Sequence, residues 1–184
     1  TSLTEIYIPK SLIDTPGGYP IFNGCTNLKT VKFESGITRI PDGLLRECPG
    51  IDEMVIPTTV TEIGSSAFSE CPNLKSVTLD SSLTVIESGA FSSCKKIETI
   101  TIPDSVVEIG LGAFDDCTNL ASVKMSENLV SLGMWAFRDC VALTEIYIPK
   151  SLVDTPGGDY SIFNGCTNLK KINFYEGISL IPNG

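Results

Sequence analysis

The residues of this 184-residue chain best suited to chemistry are its seven cysteines. They could bind a metal, pair as disulfides or act as nucleophiles. Their spacing is regular, 23 residues at each of the first five steps and 26 at the last: Cys25, Cys48, Cys71, Cys94, Cys117, Cys140 and Cys166. Zinc sites need several ligands at one point, whereas this chain has no C-x-x-C pair and no histidine. We interpret the seven as a structural ladder of buried thiols, and we expect no metal.

Disulfides are not excluded by distance, because adjacent copies of a stacked repeat can place cysteine Cα atoms within bonding range. In a ladder, however, the Cα–Cβ vectors run parallel, and seven is an odd number. The sequence therefore predicts free thiols.

Few residues of the chain are suited to other catalytic chemistry. Without histidine, the common catalytic triads and Cys-His dyads cannot form. The acidic pair Asp115-Asp116 precedes a repeat cysteine and is typical of a solvated turn, and the Gly-Gly pairs at 17–18 and 157–158 follow prolines and make no phosphate loop. We expect no enzyme activity, no catalytic residues and no cofactor.

Charge and hydropathy exclude two classes of partner. A net charge of -9 argues against nucleic acid. The longest apolar stretch, around residues 129–137, is far below the roughly 20 residues of a membrane helix, so we expect no membrane insertion in this segment.

The 23-residue period organises the whole chain. Its type copy is Cys71–Ser93, CPNLKSVTLDSSLTVIESGAFSS. A fixed period of this length predicts a single solenoid in which each copy is covered only by its neighbours. About eight repeats are expected, truncated at both ends: 1–24, 25–47, 48–70, 71–93, 94–116, 117–139, 140–165 and 166–184.

Within a copy the pattern changes twice. Apolar residues first alternate with polar ones, which predicts eight short strands that stack as one parallel ribbon: 3–8, 28–33, 51–56, 74–79, 97–102, 120–125, 143–148 and 169–174. An apolar residue every third position then indicates a second extended segment or a tight turn. Each copy ends in Ala-Phe, as at Ala90-Phe91, where we expect one turn of helix before the cysteine.

The full motif, C-x-x-L-x-x-[VI]-x-[IL]-P-x-x-[VL]-x-x-I-G-x-x-A-F-x-x-C, resembles the BspA-like subclass of bacterial leucine-rich repeats over essentially the whole chain. The resemblance implies a mainly β, right-handed curved solenoid. Its parallel ribbon would lie on the concave side, with short strands, turns and single helical turns on the convex side. It also implies extracellular or cell-surface proteins of bacteria that act in adhesion or bind host proteins.

The polar side chains between the apolar strand residues predict the contact surface. Aromatic residues on such a face can anchor a partner, although strand propensity explains tyrosine and threonine equally well. The candidate partner-binding residues are Glu5, Tyr7, Lys32, Glu53, Val55, Thr78, Thr101, Lys124, Glu145, Tyr147, Lys171 and Asn173. A host or cell-surface protein is the expected partner, and a glycan is a further candidate.

Other interpretations remain open. The array could be a structural spacer that holds another domain away from an anchor, or an intracellular scaffold. On the convex side, Trp135 stands where other copies have serine or glycine and should be exposed. The interrupted segments DTPGGYP (14–20) and DTPGGDYS (154–161) should bulge there as loops.

Overall fold

The computed structural model describes residues 2–15, 20–152 and 161–174. Within these ranges the chain forms thirteen short strands, and every strand pair is parallel. The first column of strands contains β1 Glu5–Ile8, β2 Thr30–Phe33, β4 Glu53–Val55, β6 Ser76–Thr78, β8 Thr99–Thr101, β10 Ser122–Lys124, β12 Glu145–Ile148 and β13 Lys171–Phe174. The second column contains β3 Arg39–Ile40, β5 Glu62–Ile63, β7 Val85–Ile86, β9 Glu108–Ile109 and β11 Ser131–Leu132.

Equivalent residues of successive copies pair with each other. Glu53 lies opposite Ser76, Thr99 opposite Ser122, and Ile63 opposite Ile86. Each observed first-column strand lies inside its predicted interval. The leucine-rich solenoid and its mainly β character are confirmed. Residues 23 apart in sequence become neighbours in space, or 25 and 26 apart at the two interrupted copies.

The continuous sheet lies in the second column. There, five two-residue strands form one ladder in the order β3, β5, β7, β9, β11. First-column strands pair two by two, β1 with β2, β4 with β6, β8 with β10 and β12 with β13, so the expected single ribbon is four separate pairs. The copies are already joined through the second column and the Ala-Phe corner, and the stack does not depend on an unbroken first column.

The Ala-Phe corner is a series of β-turns, and the expected turn of helix is absent from the described residues. The N–H groups of Ser66, Phe68 and Glu70 donate to carbonyls of the next copy, at 2.9, 2.8 and 2.7 Å, while those of Ala67 and Ser69 bond three residues back. Two residues per corner, such as Ser66 and Glu70, have positive φ. Left-handed residues interrupt a right-handed helix, so the corner alternates its N–H groups between its own copy and the next.

Columns of like side chains fill the interior. The fully buried rings of Phe68, Phe91, Phe114 and Phe137 stack with centroids 5.2 to 5.4 Å apart, and Phe163 continues the column at 6.0 Å. In the copy at 25–47, Leu44 and Leu45 replace Ala-Phe and are also fully buried. Each copy therefore depends on both neighbours for its core.

Candidate functional site

All seven cysteines are buried free thiols. From Cys48 onward each thiol donates a hydrogen bond to the backbone carbonyl of the corner residue 26 residues earlier, or 29 for Cys166, with Sγ···O distances of 3.0 to 3.3 Å: Cys48 to Phe22, Cys71 to Leu45, Cys94 to Phe68, Cys117 to Phe91, Cys140 to Phe114 and Cys166 to Phe137. The same carbonyl of Phe91 also accepts from the Cys94 amide. Each cysteine thus links two adjacent coils of the solenoid. The sequence motif did not reveal this role.

Burial makes these thiols poor nucleophiles. Loss of hydration raises the pKa of Cys71 to about 11 and those of Cys48 and Cys117 to about 12, and it raises the pKa of Cys94 well above its ordinary value. At Cys140 a hydrogen bond with Cys166, together with burial, raises the pKa. Because the thiolate is the reactive form, the raised pKa values make these five thiols poor nucleophiles. At Cys166 the hydrogen bond with Cys140 instead lowers the pKa.

We expect Cys71, Cys94 and Cys117 to resist iodoacetamide in the folded protein and to react in denaturant, as measured by peptide mapping. Their pKa values are raised on folding, so their contribution to stability is complete below the ordinary thiol pKa of about 8.5. It is lost as the pH rises through the folded values, about 11 for Cys71 and about 12 for Cys117. Urea unfolding at pH 7 and 9.5 measures this loss. Alkylation of these three in the folded protein at neutral pH would contradict the burial.

The first-strand face consists of the outward residues of the first column, which include all twelve predicted partner-binding residues. Glu5, Tyr7, Glu53 and Val55 are exposed, with Tyr7 62% and Val55 69% accessible. Tyr147 and Asn173 are half-buried. The outward residues lie side by side in register, as Tyr7 does with Lys32, although the broken first column divides them into four blocks.

Ion pairs occupy both ends of the first-strand face. Lys32 Nζ lies 2.7 Å from Glu5 Oε1, and Lys171 Nζ lies 3.7 Å from Glu145 Oε2. All four side chains are more than half exposed, so each pair contributes little to stability. Two of the predicted contact charges at each end are therefore neutralised by each other.

A shallow groove of about 230 Å³ lies on the first-strand face beside Tyr147. Its lining includes the predicted residues Glu145, Tyr147 and Asn173, together with Ala121 and Thr144. This is where the structure brings an aromatic side chain, a carboxylate and an amide of the predicted set together.

The sequence missed a charge cluster at the start of the second column, the Arg39 cluster. Arg39 Nη2 lies 2.7 Å from Asp42 Oδ1 and 3.3 Å from Glu87 Oε1, and Arg39 Nε lies 2.5 Å from Glu62 Oε1. Ser65 donates to Glu87 at 2.6 Å. Only the register that places copies side by side reveals that residues 23 and 48 apart share one guanidinium.

The predicted convex features fall partly within the described structure. Trp135 is half-buried, not fully exposed, and the guanidinium of Arg138 lies 4.8 Å from its ring centroid. Most of the predicted loops, residues 16–19 and 153–160, lie outside the described residues. Thr15 precedes the first of them, is fully buried and donates to the carbonyl of Asp42 at 2.5 Å.

The repeat matches a known family model. The model described as BspA type leucine rich repeat region fits the chain in six copies, over residues 1–114 and 84–184. The chain belongs to the BspA-type leucine-rich repeat family. Repeats of this family are typical of bacterial surface proteins, which indicates a protein-interaction module, and leucine-rich repeat proteins are typically non-enzymatic.

Solved structures agree with this assignment of the BspA-type chain. The leucine-rich repeat protein TpLRR from T. pallidum is 26% identical, with a TM-score of 0.71 over 79% of this chain and 68% of that one. Leucine-rich repeat proteins from Bacteroides ovatus and Eubacterium ventriosum, 20% and 21% identical, have TM-scores of 0.64 and 0.60 over 98% of this chain. The last two likenesses show the fold alone.

The BspA-type chain spans 63% and 49% of the lengths of the B. ovatus and E. ventriosum proteins. No curated protein matches it. Among the described residues, no helix has the length and apolar character needed to cross a membrane.

Proposed function

We propose that this BspA-type repeat is a non-enzymatic recognition module of a secreted or surface-attached protein, and that it binds a protein of a host or neighbouring cell in the manner of an adhesin. The observation that supports this is the first-strand face, where Tyr7 and Val55 are more than 60% exposed and stand among charged and hydroxyl side chains in register on one sheet surface. Exposed aromatic and aliphatic side chains on a rigid sheet are typical anchors for a protein partner.

Several features of the first-strand face would contribute to binding. Tyr7 near one end and Tyr147 near the other offer two aromatic contacts, and the groove beside Tyr147 offers a recess for a partner side chain. Between them, small hydroxyl residues such as Thr78 and Thr101 leave the face smooth. Because the surrounding ion pairs are exposed and weak, affinity comes mainly from the aromatic anchors.

The spacer function makes the opposite prediction for the same face. The spacer function is supported by the ion pairs Glu5–Lys32 and Glu145–Lys171, because residues that neutralise each other leave few charges for a partner. A spacer would contact nothing through Tyr7 or Val55.

Substitution of the anchors tests the proposal. The immobilised chain is incubated with a mixture of extracellular-matrix proteins, and captured proteins are quantified by mass spectrometry. We expect Tyr7→Ala with Tyr147→Ala to reduce capture of a specific protein at least tenfold, since anchors of this kind contribute about 2 kcal/mol or more each.

The matched control is Val107→Ser with Val130→Ser, which changes two exposed apolar residues outside the first-strand face. It should leave capture unchanged. Equal capture by the tyrosine variant and the wild type would remove the first-strand face from binding and favour the spacer.

A further inference from the structure

A second groove lies at the Ala-Phe corner, on a different part of the surface from the first-strand face. It is an open groove of about 350 Å³, near the lower end of the range of roughly 300 to 1,000 Å³ for small-ligand pockets. The side chains that matter for its chemistry are those of Ser66, Ser88, Ser92, Asp115, Trp135 and Arg138. We call it the corner groove.

Trp135 is the unusual residue of the corner groove. Its φ is +60°, and the equivalent positions of other copies carry Gly43, Ser66, Gly89 and Gly112, also at positive φ. A left-handed conformation is strained for a bulky residue because of its Cβ atom, and glycine avoids that strain. The strain alone identifies no ligand, but it places a large aromatic side chain where the fold itself needs none.

The indole of Trp135 is held in place by a charged pair. The Arg138 guanidinium lies 4.8 Å from the ring centroid, within the range of a cation–π contact. Arg138 in turn donates to both oxygens of Asp115, Nε to Oδ1 at 2.7 Å and Nη2 to Oδ2 at 2.5 Å. A two-point bond of this kind fixes the guanidinium plane, so the aromatic ring forms a preorganised wall.

The charges at the corner groove cancel. Arg138 is paired with Asp115, and Arg46 at the other side is paired with Glu70 at 2.7 Å. An anionic or cationic ligand would therefore have to compete with an existing ion pair. A neutral ligand would not.

We propose that the corner groove binds a neutral sugar residue of a glycan, with the sugar ring packed on Trp135. A pyranose has a face of C–H groups and a rim of hydroxyls, which matches an apolar aromatic wall beside serine hydroxyls and a carboxylate that retains lone pairs. The site is open and shallow, and its affinity for one sugar is in the range of about 0.1 to 1 mM. This activity is independent of the proposed protein contact on the first-strand face.

Trp135 makes the test direct, because it is the single tryptophan of the chain. Its fluorescence is recorded while the protein is titrated to millimolar concentrations with chitotriose, maltotriose, mannotriose and lactose. At least one of these should produce a saturable change in emission, and saturation-transfer NMR should show protein contact with the protons of one sugar face.

Two variants separate binding from folding, with NMR as the readout. Trp135→Gly introduces the residue found at Gly89 and Gly112, so the corner should remain folded while sugar binding falls at least tenfold. Asp115→Asn should also weaken binding. Tyr7→Ala, on the first-strand face, should leave sugar binding unchanged, which keeps this test separate from that of the protein contact.

Three results would overturn the sugar site. These are the absence of a saturable response to any sugar of the panel, unchanged sugar binding by Trp135→Gly, and a Trp135-dependent capture of a protein without any sugar response. The last would assign the corner groove to a protein contact instead.

Discussion

Replacing Phe91 by alanine should lower the free energy of unfolding by about 3 to 5 kcal/mol. Phe91 is fully buried, and its ring stacks between those of Phe68 and Phe114 at 5.2 and 5.4 Å. The adjacent backbones are hydrogen-bonded through the corner, so the coils cannot collapse into the cavity. Urea unfolding followed by circular dichroism measures the change.

The chain supplies its own matched control for this substitution. Leu45 occupies the equivalent place in another copy and is fully buried there, so Phe91→Leu should cost less than half as much as Phe91→Ala. Phe22→Ala should also cost less, because Phe22 is only half-buried. Equal losses of unfolding free energy for Phe91→Ala and Phe22→Ala would show that the phenylalanine column is not the main source of core stability.

Replacing Arg39 by glutamine should lower the free energy of unfolding by roughly 2 to 3 kcal/mol at pH 7. The guanidinium bonds to Asp42, Glu62 and Glu87 and is only 24% exposed. Burial opposes its charge, but hydrogen bonds to Glu62 and Asp42 raise the Arg39 pKa. Without Arg39, three carboxylates repel one another in a partly desolvated place.

The effect of Arg39→Gln should shrink as the pH falls. Burial acts to raise the Glu87 pKa, but hydrogen bonding, led by the Ser65 bond and including Arg39, lowers it overall. A lowered pKa means that this carboxylate stabilises the fold above its ordinary pKa of about 4.3, and that the stabilisation is lost as pH falls through the folded value. Protonation also removes the repulsion that the variant suffers.

Urea unfolding of Arg39→Gln at pH 7 and pH 4 measures the difference. Arg46→Gln is the control, because Arg46 and Glu70 form an exposed pair whose loss should cost at most about 1 kcal/mol. A cost that is the same at both pH values would contradict electrostatic repulsion among the three carboxylates.

The sequence predicted what depends on the period. A spacing of 23 residues requires that Phe68 meets Phe91 and that Ser76 meets Glu53, and both contacts are present. The alternation of apolar and polar residues placed Tyr7 and Val55 on the outside of their strands, where they are found. Columns follow from stacking alone, which is why they were predictable.

The sequence could not predict the features that depend on where the N–H and S–H groups of one copy point. The spacing of apolar residues does not determine that the N–H of Phe68 points to the next copy. The predicted turn of helix is therefore wrong, and the corner is a series of β-turns. The spacing also does not determine which carbonyl a buried thiol meets, so the Cys94 bond to Phe68 was missed. The absence of pairing between β2 and β4 was also not predictable, because both strands have the same alternation of apolar and polar residues.

The stacking of successive 23-residue copies in one register is tested most directly by NMR couplings across hydrogen bonds. We expect a scalar coupling from the amide nitrogens of three corner phenylalanines to the carbonyl carbons 22 residues later, from Phe68 to Ala90, Phe91 to Ala113 and Phe114 to Ala136, where the N···O distance is 2.8 Å. Couplings from these nitrogens to carbonyls three or four residues earlier, with none 22 residues later, would contradict it.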